Sequence, residues 1–331
     1  MGITKGHQIF ADALTRFAAT SDDPRLTPII TRVSAPLRVA VLGRDGVGRG
    51  TVAAALTAAE VTVTSDPAGA DVHVLVIAEA LKPEERARAR AADRPIMTVL
   101  NKADLTGLGG GGPLARAHRR AADVRAQTGV PTIPMVALLA TAELDDELMA
   151  ALRVLVTEPV DLTSTDAFVA TEHALNRELR LRLLATLDRF GIARAVLALS
   201  GGADDPTVSA TLRRASQIGR VLEHIEAAAA PVRYRRVRSA VTELRSLAVA
   251  SDDDRLTRFL STDETVLAVM AAAVDVVEAA GVHVDRDDDA SAHLRRAVHW
   301  RHYSRAPVSA LHRSCAADIA RGSLRLLGQA R

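Results

Sequence analysis

The sequence predicts an α/β domain, with a mostly parallel sheet wrapped by helices on both faces, followed by an all-helical bundle. Three observations predict it. Short apolar or β-branched runs at residues 37–42, 61–64, 72–78, 95–100 and 132–139 alternate with helical segments, the rhythm of parallel strands joined by crossovers. A glycine cluster at residues 43–50 follows the first run, where a strand turns into a helix. Beyond about residue 160 the strand signal stops and amphipathic helices continue to the C-terminus. The expected division is a helical lead-in at 1–34, the α/β domain at 35–160 and the helical domain at 161–331.

Each element has its own signal. Ile9, Phe10, Leu14 and Phe17 recur at helical spacing and predict a helix over 5–20. Ser21-Asp22-Asp23-Pro24 breaks it, and a second short helix runs to Val33. Pro36 punctuates the first strand. Helices are expected at 50–60, 83–92 and 114–128, between the strands. In the C-terminal part, breaks are expected at 201–206, at Ala230-Pro231, at 251–254 and at 285–289.

The composition narrows the classes of function. The chain has 331 residues, enough for two domains, with 48% hydrophobic and 25% charged residues. Aromatics are only 2%, so the cores must be built from Ala, Val, Leu and Ile. Arg largely replaces Lys, which fits the codon bias of a GC-rich genome. The single cysteine, Cys315, excludes an intrachain disulfide and points to a reducing compartment. There is no signal-peptide core and no uncharged apolar stretch of membrane-spanning length; residues 267–281 come nearest and carry Asp275 and Glu278. The expected location is cytoplasmic, at most peripheral to the membrane.

The most specific chemistry lies in Asn101-Lys102-Ala103-Asp104, an N-K-x-D sequence directly after the fourth apolar run. The chain has only three lysines and two asparagines, and one of each falls here. An Asp carboxylate in this place can accept from both the ring N–H and the exocyclic amine of guanine, a donor pair that adenine lacks. Asn101 and Lys102 would shape the base pocket.

The glycine turn is a candidate phosphate cradle. A working P-loop reads G-x-x-x-x-G-K-[S/T], its Lys reaching the outer phosphates and its hydroxyl holding Mg²⁺. Gly43 and Gly48 have this spacing, but Arg49 stands in place of Lys and Gly50 in place of Ser or Thr. Thr51 comes one residue late, a rotation of about 100° on a helix, which makes it a poor Mg²⁺ ligand. Arg49 can contact phosphate, but as a planar fork rather than a compact ammonium. Gly43, Gly46 and Gly48 also fit a dinucleotide turn, with Asp66 at 18 residues after Gly48 as its ribose-binding acid. The glycine cluster alone leaves both readings, and a purely structural turn, open.

With both stretches in view, the chain resembles the P-loop GTPases, and among them the actinobacterial dynamin-like proteins. Ala35-Pro36-Leu37-Arg38-Val39-Ala40-Val41-Leu42-Gly43 is similar to the lead-in of a dynamin-type G domain, and residues 101–104 match the guanine motif. Residues 132–138 resemble the strand and loop that pack a backbone amide on guanine, with Val136-Ala137 in place of Ser-Ala. Residues 183–248, including Phe190-Gly191-Ile192, resemble the helical region that follows such a G domain. Asp66-Pro67-Ala68-Gly69 is the D-x-x-G candidate between the glycine turn and N-K-A-D, and it follows the glycine turn too closely to leave room for a first switch. No second switch helix follows it. The resemblance therefore implies a degenerate G domain, a pseudo-GTPase that keeps base selection and loses most phosphate sensing. It implies GTP or GDP as ligand, Gly43 to Thr51 at the phosphates, and a protein partner: an intact GTPase, or a second copy in an oligomer, near a membrane surface. The alternatives are an active GTPase using Arg49 and Thr51, and a Rossmann-type NAD-binding protein using the glycines and Asp66.

Residues 293–331 carry eight arginines, four histidines, Trp300 and Tyr303 against one acid, Asp318. They read as helices with a solvated arginine face, ahead of a patch for anionic lipid or nucleic acid. Two aromatics are too few for a base-stacking platform, so nucleic acid is not expected. His293, His299 and His302 lack a partner ligand set for a metal. The glycine run 109–112 is expected to be a loop.

Overall fold

The structure is a computed structural model that describes residues 6–21, 23–107 and 110–330. Residue 5 of the first predicted helix, Asp22 of the polar break, Gly109 of the glycine run and Arg331 lie outside the described residues. The chain divides into two compact units, 37–225 and 1–36 joined by 226–331. This differs from the three consecutive segments expected. The lead-in helices carry an apolar face that pairs with the C-terminal helices rather than with the sheet, and the helices after residue 160 first complete the α/β unit.

In the α/β unit, five parallel strands are β1 (Arg38–Leu42), β2 (Thr62–Thr64), β3 (Val72–Ala78), β4 (Ile96–Asn101) and β5 (Thr132–Pro134). Their order is β2-β1-β3-β4-β5. In register, Val39 pairs with Val63 and Val72, Leu75 with Thr98, and Leu100 with Pro134. All seven residues of β3 are buried, as expected for a central parallel strand with both faces covered. The order reverses at β1: the chain passes from β1 to β2 on one side of it and then to β3 on the other. Ligands of open α/β sheets sit beyond the carboxyl ends of the strands at such a point.

The final strand is shorter than the predicted 132–139. Met135 N–H still donates to the Leu100 carbonyl, and the amides after it turn elsewhere: Val136 N–H donates to the Ser216 carbonyl and Ala137 N–H to Asn101 Oδ1. Pro134 is tolerated because its missing N–H would face the open edge of the sheet. Helices α3 (Arg49–Ala58), α4 (Pro83–Arg90) and α5 (Gly112–Thr128) cover the sheet, after α1 (Gly6–Ser21) and α2 (Leu26–Ser34) of the other unit. Then α6 (Asp146–Thr157), α7 (Thr165–Ala170), α8 (Arg177–Ser200) and α9 (Asp205–Ser216) bury Leu152, Phe168, Leu183, Leu187, Ile192 and Val208 against Leu139 and Val136. Asp145, Ser164, Asn176 and Asp204 cap these four helices through their side-chain oxygens.

In the helical unit, α1 and α2 pack Phe10, Leu14, Leu26 and Ile29 against Val237, Ala240 and Leu244 of α10 (Ile218–Ser251). Helix α10 continues through Pro231, where a break was expected. The missing N–H costs about 3 kcal/mol in a helix interior, and burial of Ala229, Ala230, Tyr234 and Val237 on both sides of the proline offsets it. Then α11 (Asp254–Ser261), α12 (Asp263–Ala279), α13 (Ala290–Tyr303) and α14 (Ala310–Gln329) complete the bundle.

Part of the basic C-terminal segment is core. Trp300 is 1% exposed and lies in a cluster with Val276, Val277, Cys315 and Ile319. Arg296 is buried and fully engaged: it donates to Ser323 Oγ, to the Asp285 and Asp287 carbonyls, and to His293 Nδ1. Burial pushes the Cys315 thiol up to about 12, so it is not a reactive nucleophile. Among the described residues no helix is long and apolar enough to cross a membrane.

Candidate functional site

The carboxyl ends of β1, β4 and β5 converge on one cleft of about 250 Å³, lined by Gly48, Thr51, Asn101, Lys102, Asp104, Leu105, Val136, Ala137, Leu138 and Asp188. That volume lies just below the ~300 Å³ at which pockets for drug-sized ligands begin, a size suited to a base rather than to a whole nucleotide.

Asn101 organises it. This last residue of β4 is 4% exposed. Its Nδ2 donates to the Val47 carbonyl at 3.0 Å, and its Oδ1 accepts from Ala137 N–H at 3.1 Å. One side chain thus ties the glycine turn, the N-K-A-D stretch and the loop after β5 together. Both of its polar ends are satisfied, as burial requires.

Glycine is required where the turn meets Asn101. Gly48 has φ +82°, and a Cβ there would stand 2.3 Å from Asn101 Nδ2. Gly43 approaches β3 so closely that a Cβ would lie 2.7 Å from the Val76 carbonyl oxygen. Gly46 also takes a positive φ, at the exposed tip of the turn. Gly48 caps α3 without a side chain, so the first amides of that helix are left uncapped by any side chain. An anion placed there would meet backbone donors and the positive end of the helix dipole.

The residues that would handle phosphate chemistry are placed otherwise. Arg49 folds back over its own turn: Nη1 donates to the Gly43 carbonyl at 3.3 Å, and Nη2 lies 4.0 Å from the exposed Asp45 carboxylate. Gly50 has open space where a Cβ would be, so the missing hydroxyl is a chemical departure and not a steric one. Thr51 faces the cleft beside Asn101 and Asp104. Arg44 of the turn is held by Glu85, which is 4% exposed and also accepts from Lys82 N–H.

Asp66 is not brought to the cleft. Strand β2 is only three residues long, and the chain then passes under the first residue of β1 to start β3: Asp71 N–H donates to the Arg38 carbonyl and Arg38 N–H to the Asp71 carboxylate. Asp66 closes its own turn, accepting from Ala68 N–H at 3.0 Å. Arg94 holds the Ala68 and Ala70 carbonyls, and His73 the Pro67 carbonyl. All these partners sit at the amino ends of the strands, while the glycine turn follows the carboxyl end of β1. The D-x-x-G stretch is therefore a local Asx turn, and Asp66 stands apart from the glycines it was paired with in the dinucleotide reading.

Asp104 is the one acid of N-K-A-D, half-buried on a single 3₁₀ turn (Ala103–Leu105). Among the described residues no side chain donates to it. Burial raises its carboxyl above the ordinary 3.8, and the nearby Asp188 carboxylate adds to the rise, against its own backbone amide, Lys102 and Arg189. A half-dry carboxylate with no side-chain donor is poised to accept donors from a ligand. Lys102 takes a left-handed conformation, φ +56°, and sits exposed on the rim. Asp188, Leu105, Val136 and Leu138 were not read as site residues. Asp188 lies on a helix far along the chain, where periodicity cannot distinguish a polar face from a cleft wall.

Compared with known protein families, curated proteins and solved structures, the chain matches none.

Proposed function

We propose that the chain is a degenerate relative of the bacterial dynamin-like P-loop GTPases, a pseudo-GTPase that binds guanine nucleotide with micromolar affinity and hydrolyses it negligibly. Asp104 selects the base, Asn101 and Lys102 shape its pocket, the Ala137 amide packs beside it, and the turn from Gly43 to Thr51 receives the phosphates. Its output is contact with a protein, either an intact GTPase or a second copy, near a membrane surface. The observation that carries this reading is the Asn101 side chain, which joins the glycine turn to the cleft holding an unpaired Asp104. The strand order supports it, since the cleft lies at the carboxyl ends next to the reversal.

The phosphate end lacks what turnover needs. Phosphoryl transfer depends on a Lys, a Mg²⁺ ion and a placed water. Here the Arg49 guanidinium is committed to a backbone carbonyl of its own turn, Gly50 offers no hydroxyl, and Thr51 faces the cleft. GDP affinity is expected to change less than about threefold when Mg²⁺ is replaced by EDTA, with no phosphate released above background. Calorimetry in both buffers and a phosphate-release assay check this. Magnesium-dependent turnover that is lost in Arg49→Ala would establish the active-GTPase alternative instead.

A further inference from the structure

We infer that Asp188 is a second base-reading carboxylate, which accepts the amine hydrogen of guanine that Asp104 leaves free. The inference rests on the guanine reading of the cleft and assigns it a specificity residue outside N-K-A-D.

Asp188 interrupts α8 with φ +52° and ψ 175°, a combination that only glycine adopts readily. Its neighbours are held on both sides. Leu187 and Ile192 are fully buried, and Arg189 donates through Nη1 to the Leu162 and Thr163 carbonyls. The strain thus falls on Asp188 itself, whose carboxylate lines the cleft that contains Asp104. Its Oδ1 accepts from Arg189 N–H at 2.6 Å, and among the described residues Oδ2 has no donor.

Guanine presents three donor hydrogens on one edge, the ring N–H and both hydrogens of the exocyclic amine. A single carboxylate can take the ring N–H and one amine hydrogen, which leaves the other facing an acceptor or nothing. A second carboxylate in the same pocket supplies that acceptor. Without a ligand the two acids repel each other, offset in part by the Lys102 and Arg189 cations. Bound guanine relieves this repulsion with donors. Hypoxanthine, which lacks the amine, gives the same ring N–H but nothing for Asp188.

The test compares GDP with IDP on the full chain and on Asp188→Gly. Glycine removes the carboxylate and suits the local φ and ψ, so the variant is expected to melt no lower than the wild type. The wild type should prefer GDP over IDP, and that preference should fall about tenfold in Asp188→Gly, through weaker GDP binding with IDP unchanged. The pH at which GDP binding fails should also move down, because the like charge beside Asp104 is gone. An unchanged GDP-to-IDP ratio in Asp188→Gly, with GDP still bound, overturns this inference and leaves the guanine reading intact. A wild type that binds neither nucleotide overturns both.

Discussion

Asp104→Ala is expected to fold normally and to lose guanine-nucleotide binding by at least about 100-fold, beyond detection for a micromolar site. Two hydrogen bonds to a charged acceptor contribute roughly 1.5–3 kcal/mol each, and the first ~3 kcal/mol already amounts to that factor. The fold does not depend on this side chain, because no side chain among the described residues donates to it. Its proton affinity is higher in the fold than in the unfolded chain, so the ionised carboxylate slightly destabilises the protein at neutral pH. Removing it should leave the melting temperature unchanged or a little higher. In the wild type, lowering the pH through the raised folded value protonates Asp104 and removes an acceptor. GDP binding should therefore fail at a pH above the ordinary carboxylate value of 3.8. Calorimetric titrations across pH, beside a thermal melt of the variant, check both statements.

Gly48→Ala has a different expected result: loss of stability and of the site together. The backbone is left-handed here, which costs a non-glycine residue about 1–2 kcal/mol. The new methyl would stand 2.3 Å from Asn101 Nδ2 and push that side chain off Val47 and Ala137. Orphaning buried partners adds roughly 1–3 kcal/mol. The sum is about 2–5 kcal/mol, read as a lower urea midpoint with an unchanged slope. Asn101→Ala, which orphans the same two groups without backbone strain, should cost less than Gly48→Ala. Equal stability of Gly48→Ala and wild type would contradict the bridge described for Asn101.

These two residues show how much was legible in the sequence. N-K-A-D after an apolar run placed Asn101, Lys102 and Asp104 at a strand end, because a β-branched run buried on both faces reads as a central parallel strand. The glycine spacing likewise placed Gly43 and Gly48 at the turn. Other features depend on contacts that no local pattern encodes. Pro231 signals a helix end, and tertiary burial of Tyr234 and its neighbours overrides it. Asp66 follows the glycines at a dinucleotide-like spacing, but a three-residue β2 turns it to the opposite end of the sheet. The last apolar run leaves the sheet after Met135, and the Ala137 amide turns to Asn101. Asp188 enters the cleft through a backbone interruption inside a helix, which has no signature in hydrophobic periodicity.

The division into units was hidden for a related reason. Helices α1 and α2 are amphipathic, and their sequence states which face is apolar without naming the partner. Phe17 stacks on Phe259 with ring centroids 4.6 Å apart, a pairing across most of the chain length. Contacts of that separation assign the N-terminal helices to the C-terminal bundle.

On the proposed reading, the cleft recognises guanine while the phosphate end neither senses a third phosphate nor selects an adenine dinucleotide. Titration of GDP, GTP, ATP and NAD against the purified full chain by calorimetry tests this most directly. The predicted result is micromolar binding of GDP and GTP within about threefold of each other, with no heat from ATP or NAD. Binding of ATP or NAD as tight as that of GDP would contradict it.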